Sequence, residues 1–255
     1  MGVFSFPLSA SPHIRVISLR ELNGHDELLS NVESSGVLKF LNNIIIQPPH
    51  SESQNSLLAE KISVADRDFL LASIYQYTYG PRISSSLPCN ACGELYDLNF
   101  SLKDFISSGE RSMSDLSVDN EGLFCTEKGI RFRLPNGEDE IYVRGMPADK
   151  AADEILSRCI AQPVADEDMT ALIETMEQVA PVLVTDIDIR CPECQQMQKV
   201  QFDMQSFLLA TVKNERKKVC AEIHSIAMAY GWSHKEILDL PRSLRQAYVS
   251  MIGLN

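Results

Sequence analysis

The residues with the clearest chemistry are the seven cysteines, Cys89, Cys92, Cys125, Cys159, Cys191, Cys194 and Cys220, an odd number that cannot close into an all-disulfide framework. Four of them form two C-x-x-C pairs, Cys89 with Cys92 and Cys191 with Cys194. A tight turn of this kind presents two sulfurs and a tetrahedral zinc ion needs four ligands, so two matching turns complete its shell. With sulfur at all four positions no place is left for water, which argues for a structural rather than a catalytic ion; zinc and iron are not distinguished by this ligand set. The competing readings are a redox pair and two unrelated buried pairs. A redox C-x-x-C normally opens a helix in a βαβ setting, and neither copy does so. Because 98 residues separate Cys92 from Cys191, a shared site would close a long loop rather than define a compact zinc ribbon.

The two pairs sit in an internal repeat. LPCNACGELYDLNFSLKDF and IRCPECQQMQKVQFDMQSF align without a gap at an offset of 102 residues. Leu98, Phe100, Leu102 and Phe105 fall opposite Val200, Phe202, Met204 and Phe207, and the first three of each set alternate as one buried strand face requires. Each copy therefore reads as a two-sulfur turn, a strand and a switch to helix.

Other chemistry is sparse. No G-x-x-x-x-G-K, G-x-G-x-x-G, G-x-S-x-G or H-E-x-x-H motif occurs. The five histidines are scattered; His224 follows Cys220 by four positions on a helical pattern, and a solvated helix histidine is the simpler reading. Cys159 and Cys220 lie in amphipathic patterns and read as small core residues. Glu138-Asp139-Glu140 fits a turn, and Asp166-Glu167-Asp168 a helix N-terminus, where carboxylates offset the dipole. Arg216-Lys217-Lys218 and the pair Arg242 and Arg245 read as solvated faces, with a role in orienting a protein partner as the functional alternative.

The elements that position these residues follow from periodicity. Residues 14–19 form a β-like run, Val37 to Ile46 is apolar, and Gln47 to Ser56 is a breaker-rich loop. Ser63 and Asp66 resemble an acidic capping box for a helix over 64–79, stopped by Gly80 and Pro81. Residues 107–120 are Ser-rich and acidic, as in a surface loop. In RFRLPNGEDEIYVR, Asn136-Gly137 predicts a hairpin turn between two short strands. Two helical patterns follow, from Ala152 to Ile160 and from Met169 to Val179, punctuated by Pro163 and Pro181. One long amphipathic helix is expected from Leu208 to Gly231, then a short one capped by Ser233 and Glu236, then a last one from Pro241 to Ile252.

At 255 residues, 44% hydrophobic and 23% charged, the chain is long enough to bury a core without disulfides and is neither collagen-like nor wholly disordered. The net charge of −12 repels phosphate backbones and anionic lipid, so nucleic acid and membrane surfaces are poor partners. No apolar run approaches a membrane span, and MGVFSFPLSASPHIR lacks the pattern of a signal peptide, which leads to an expected cytoplasmic location. The expected fold is α+β, mainly helical, with a small β element formed by the two pseudo-repeated C-x-x-C turns sharing a zinc ion. An N-terminal segment over 1–57 would precede a body over 58–255 whose C-terminal third, 206–252, is helical.

Several phrases in fixed order resemble the baseplate hub assembly chaperones of T-even-type contractile-tailed phages and their relatives in phage-tail-like injection clusters. They are SLRELNGHDE, DRDFLLASIYQYTYG leading into CNACGELYDLNF, FRLPNGEDE, LSRCI, CPEC with QFDMQSFL, and IHSIAMAYGWSHKEILDLPRSLRQAYVSMI, together covering most of residues 15–252. The resemblance implies a non-enzymatic protein of contractile-tail baseplate assembly, either a chaperone of hub or wedge proteins in the host cytoplasm or a minor component of the virion baseplate. It implies metal ligation by Cys89, Cys92, Cys191 and Cys194, and partner contact by the helical tail through Trp232, Arg242, Arg245 and Tyr248. One departure is that Gln195 and Gln196 stand where a glycine commonly follows the second cysteine, which predicts a tighter turn or a longer loop. The alternatives are a zinc-ribbon nucleic-acid-binding regulator, disfavoured by the charge, and a zinc-dependent hydrolase, which would need an open ligand position.

Overall fold

The computed structural model of the chain describes residues 2–28, 36–46, 58–103, 106, 116–179 and 184–253, without the side chains of Val184 and Thr185. The loop expected at Gln47 to Ser56, residues 107–115 of the Ser-rich stretch, Phe105 of the repeat and Pro181 lie outside the described residues. The architecture is α+β, helices with small antiparallel sheets. A hairpin of β1 (Val3–Pro7) and β2 (Val16–Arg20) comes first, followed by α1 (Gly24–Glu27), α2 (Gly36–Ile44), α3 (Leu58–Lys61) and α4 (Val64–Tyr79). A second hairpin pairs β3 (Arg82–Pro88) with β4 (Leu95–Ser101), and β5 (Ser117–Val118), β6 (Phe124–Cys125) and β7 (Arg131–Phe132) form a three-stranded sheet. After α5 (Gly137–Tyr142), α6 (Ala148–Cys159) and α7 (Asp166–Val179), another hairpin joins β8 (Val184–Arg190) to β9 (Met197–Asp203). The chain ends in α8 (Met204–Asn214), α9 (Arg216–Tyr230), α10 (His234–Leu238) and α11 (Arg242–Ile252). Among the described residues no helix is long and apolar enough to cross a membrane.

These elements form two compact units, each assembled from separated segments. The first comprises Met1–Pro7, Val16–Glu60 and Ser206–Asn255; the second comprises Leu8–Arg15 and Lys61–Gln205. The helical C-terminal third thus belongs with the N-terminal segment, a grouping that composition along the chain does not register.

In the second unit, Ser63 caps α4 by accepting the Asp66 N–H at 3.2 Å, and Gly80 ends the helix. The core stacks Phe124 on Phe132 at 5.5 Å and adds Leu134, Cys159, Leu172, Met176 and Val179, which is where the apolar faces of α6 and α7 point. The hairpin expected at Asn136-Gly137 is corrected. Asn136 is extended, with φ −132°, whereas a tight hairpin turn needs positive φ there. Its side chain accepts the N–H groups of Glu138 and Asp139 while Asp139 accepts the Asn136 N–H, so the pair opens α5 through a capping box. Asp139 is fully buried and takes charge-assisted bonds from Arg133 at 2.5 and 2.8 Å and Arg158 at 2.8 Å. Despite the desolvation that opposes it, these guanidinium bonds hold the Asp139 carboxyl below its ordinary pKa.

In the first unit, Asn23 and Asp26 make the same kind of capping box for α1. The single helix expected from Leu208 to Gly231 is two, α8 and α9, separated at Glu215, whose carboxylate bonds Arg242 at 2.7 Å instead of capping α9. Gly231, in the left-handed region at φ 69°, ends α9, and Ser233 and Glu236 form the expected box for α10. Val219, Ile223 and Ile226 of α9 pack on Ile237 and Leu238 of α10. Cys220 faces solvent on α9, contrary to the core position expected for it.

Arg242 and Arg245 are also corrected, since neither lies on a solvated face. Arg245 is 0% exposed and Arg242 is 7% exposed. Arg245 bonds Glu222 at 2.8 Å and Glu27, and Arg242 bonds Glu27 and Glu215, so α1, α9 and α11 are tied by one buried ionic cluster. Removing one member leaves its partners charged and dry. Arg245→Leu is expected to destabilise the protein by about 3–5 kcal/mol in urea unfolding, whereas Leu244→Ala on the exposed face should stay within about 0.5 kcal/mol.

Candidate metal centre

Both C-x-x-C pairs occupy the turns of hairpins. Pro88 pairs with Leu95 across one turn and Arg190 with Met197 across the other. Every strand boundary in the second hairpin lies 102 residues after its counterpart, so the repeat reaches back over β3 and β8, strands of which its alignable phrases include only the last two residues. The turns are matched in detail. The Cys89 N–H donates to the Glu94 carbonyl at 2.9 Å and the Gly93 N–H to the Cys89 carbonyl at 2.9 Å. The Cys191 N–H donates to the Gln196 carbonyl at 3.0 Å and the Gln195 N–H to the Cys191 carbonyl at 3.0 Å. The tighter turn or longer loop expected at Gln195 and Gln196 is therefore corrected. Gln195 takes the left-handed conformation that Gly93 takes, φ 62° against 78°, and its side chain donates to the Pro192 carbonyl at 2.8 Å. Only glycine adopts this conformation without steric cost.

The structure brings the four expected ligands together, their sulfurs all within 4.8 Å of one another. Cys89 Sγ lies 3.7 Å from Cys194 Sγ, and Cys92 Sγ lies 3.8 Å from Cys191 Sγ. A disulfide would require about 2.05 Å. Four sulfurs placed about 2.3 Å from a common tetrahedral ion lie about 3.8 Å apart, the spacing seen here across the hairpins. The donor set therefore fits a metal ion.

Residues that the cysteine spacing does not reveal support the site. Cys89 and Cys191 are buried with Tyr96, Leu87 and Ile189, while Cys92 and Cys194 are exposed. Gln198, which occupies the repeat position of Tyr96, donates to the Tyr96 hydroxyl and accepts the Asn90 N–H at 3.0 Å. Phe100 and Phe202, also repeat partners, meet edge to face at 5.0 Å. The sequence signal for these contacts was the repeat itself, which aligned each pair without showing that the copies meet.

The backbone prepares part of the charge. N–H groups of Cys92 and Ala91, the latter 3.4 Å from the sulfur, lower the Cys89 thiol to about 6. The Glu94 N–H pulls the Cys92 thiol down as well, but desolvation and the sulfurs of Cys194, Cys89 and Cys191 outweigh it and push that thiol up to about 12. The cluster alone thus accommodates one thiolate and resists the next, and a bound cation relieves that repulsion.

The remaining sequence candidates do not join the centre. Among the described residues, the four cysteines are the one group of three or more potential ligands within reach of a common ion. Cys159 is buried as expected, and desolvation pushes its thiol up to about 12. Cys125 is half-buried and His224 is exposed. Of the four residues expected at a partner surface, Trp232 and Tyr248 are half-buried and meet edge to face at 5.0 Å, whereas Arg242 and Arg245 lie inside the first unit's ionic cluster.

Gln195→Gly is expected to stabilise the protein by about 0.5–1 kcal/mol in urea unfolding, because it removes the left-handed strain, while Gly93→Gln should cost a similar amount. Strong chelator, with metal removal confirmed by elemental analysis, should lower the melting temperature, and Cys191→Ser should do the same. Cys125→Ser should leave it nearly unchanged; a melting temperature indifferent to chelation would remove the metal from the folding argument.

Compared with known proteins, the chain matches no family model, no curated protein and no solved structure.

Proposed function

We propose that Cys89, Cys92, Cys191 and Cys194 hold a structural zinc ion, and that the protein serves, without catalysis, in assembling the baseplate of a contractile tail. It would act as a chaperone of hub or wedge proteins or remain as a minor baseplate component. The observation that carries the metal assignment is the 3.7 and 3.8 Å sulfur spacing across the two hairpins. Zinc is preferred because a closed four-sulfur shell with no open position suits an ion whose task is to hold chain segments. Bound there, zinc would offset half of the charge of the four thiolates and fix one turn against the other.

The baseplate reading is supported by the ordered phrases that resemble the hub assembly chaperones, above all residues 223–252. The net charge of −12 also favours a protein partner over nucleic acid.

Tagged protein retrieved from a lysate in which tails are assembling is expected to carry one zinc per chain by elemental analysis. It should also bring down hub or wedge proteins, identified by mass spectrometry. A transient chaperone will be missing from purified particles, and a component will be present. Iron in place of zinc would overturn the metal assignment. Retention of duplex DNA at low salt without any tail protein would replace the assembly role with that of a zinc-ribbon nucleic-acid-binding regulator.

A further inference from the structure

Apart from the metal centre, the second unit carries an apolar groove of about 630 Å³. It is lined by Ile155 and Leu156 of α6, Ile173 and Met176 of α7, Ala65 at the start of α4, and Leu134. Ala65, Leu134 and Met176 are buried core residues, so the floor of the groove is fixed by the packing of the unit. Ile155 and Leu156 are only partly buried and Ile173 is 36% exposed, so the walls present apolar side chains to water. Covering them releases that water and is favourable in proportion to the area covered.

The surroundings select the kind of occupant. Between residues 136 and 179 eleven Asp or Glu stand against three Lys or Arg, a net −8 within a chain of net −12. Some of these carboxylates are neutralised within the unit: Arg67 spans both oxygens of Glu140 at 2.5 and 2.7 Å, Lys128 bonds Asp168, and Asp139 takes Arg133 and Arg158. Glu177 lines the groove, and Glu174, one turn before it on α7, is exposed. Fatty acids, nucleotides and nucleic acids are repelled by such a rim, while a cationic partner is drawn to it. The lining comes from helices and the segment around Leu134 and includes no residue of a β-strand, so an extended peptide has no sheet edge to extend. A helix satisfies its own backbone and needs only an apolar stripe to fit.

We propose that this groove receives an amphipathic helix of a partner protein. Its apolar face would sit on Ile155, Leu156, Ile173 and Met176, with flanking Lys or Arg residues opposite Glu177 and Glu174. The proposal goes beyond the baseplate reading and does not rest on it, because neither the cysteines nor their hairpins line the groove.

The test uses the full-length protein and a labelled peptide of five helical turns, about 18 residues, in which Leu and Lys are arranged at helical period. Fluorescence anisotropy at low salt should show saturable binding that weakens as salt is raised. A scrambled peptide of the same composition and the Ile173→Arg variant should each weaken it by about tenfold. The double variant Glu174→Lys with Glu177→Lys, both at exposed positions, should weaken it by about fivefold and flatten its salt dependence. Circular dichroism would confirm that the variants are folded. Equal binding of the scrambled peptide, indifference to Ile173→Arg, or no saturable binding of the amphipathic peptide would each overturn the proposal. Tighter binding of a matching Leu and Glu peptide would overturn its charge assignment and the proposal with it.

Discussion

The structure depends most on the mutual approach of four sulfurs that belong to turns about a hundred residues apart. Thiols that close cannot all ionise by themselves, as the opposite shifts of Cys89 and Cys92 show: backbone N–H groups favour the first thiolate, and the neighbouring sulfurs oppose the second. A divalent cation converts the same four groups from a source of repulsion into a cross-link. The segment such a cross-link would close contains β5 to β7 and α5 to α7, hence most of the second unit's apolar core. Loop-closure entropy would then be met by the metal centre together with the contacts across the two hairpins.

Burial of charge is the second recurring theme. Asp139 with Arg133 and Arg158 organises the start of α5 in one unit, and Glu27 with Arg242 and Arg245 ties α1 to α11 in the other. Each centre is expensive to desolvate, so it is tolerated only where guanidinium forks and carboxylates satisfy each other. Their value lies in specifying which segments meet, because a mismatched partner would leave a dry charge.

Much of this was legible in local sequence. The Ser63 and Ser233 caps, the Gly80 and Gly231 stops and the helical spacing of α4, α6 and α7 all depend on near neighbours, and the four sulfurs were marked by spacing and repetition. What escaped depends on distant partners or on competing local codes. Asn136-Gly137 satisfies both a hairpin and a capping pattern, and Asp139 three residues after Asn136, together with Arg133 and Arg158, decides for the cap. Arg242 and Arg245 look like surface charges until Glu27, more than two hundred positions away, is placed beside them. The strands β3 and β8 have little apolar alternation in common, and only pairing with β4 and β9 defines them.

The contact of Gln198 with Tyr96 and Asn90 decides which hairpin can answer which. Since both turns present the same two-sulfur half-site, coordination alone would let a hairpin join its twin from a second molecule. At low concentration the covalent tether favours the companion within the same molecule, an advantage that fades as the concentration approaches the effective molarity of the link. The amide adds discrimination that does not depend on dilution: a pair of first hairpins would have no amide to accept the Asn90 N–H, and a pair of second hairpins would set the amide near Pro192, which has no N–H to give. An otherwise symmetric clasp is thereby keyed against exchange between molecules.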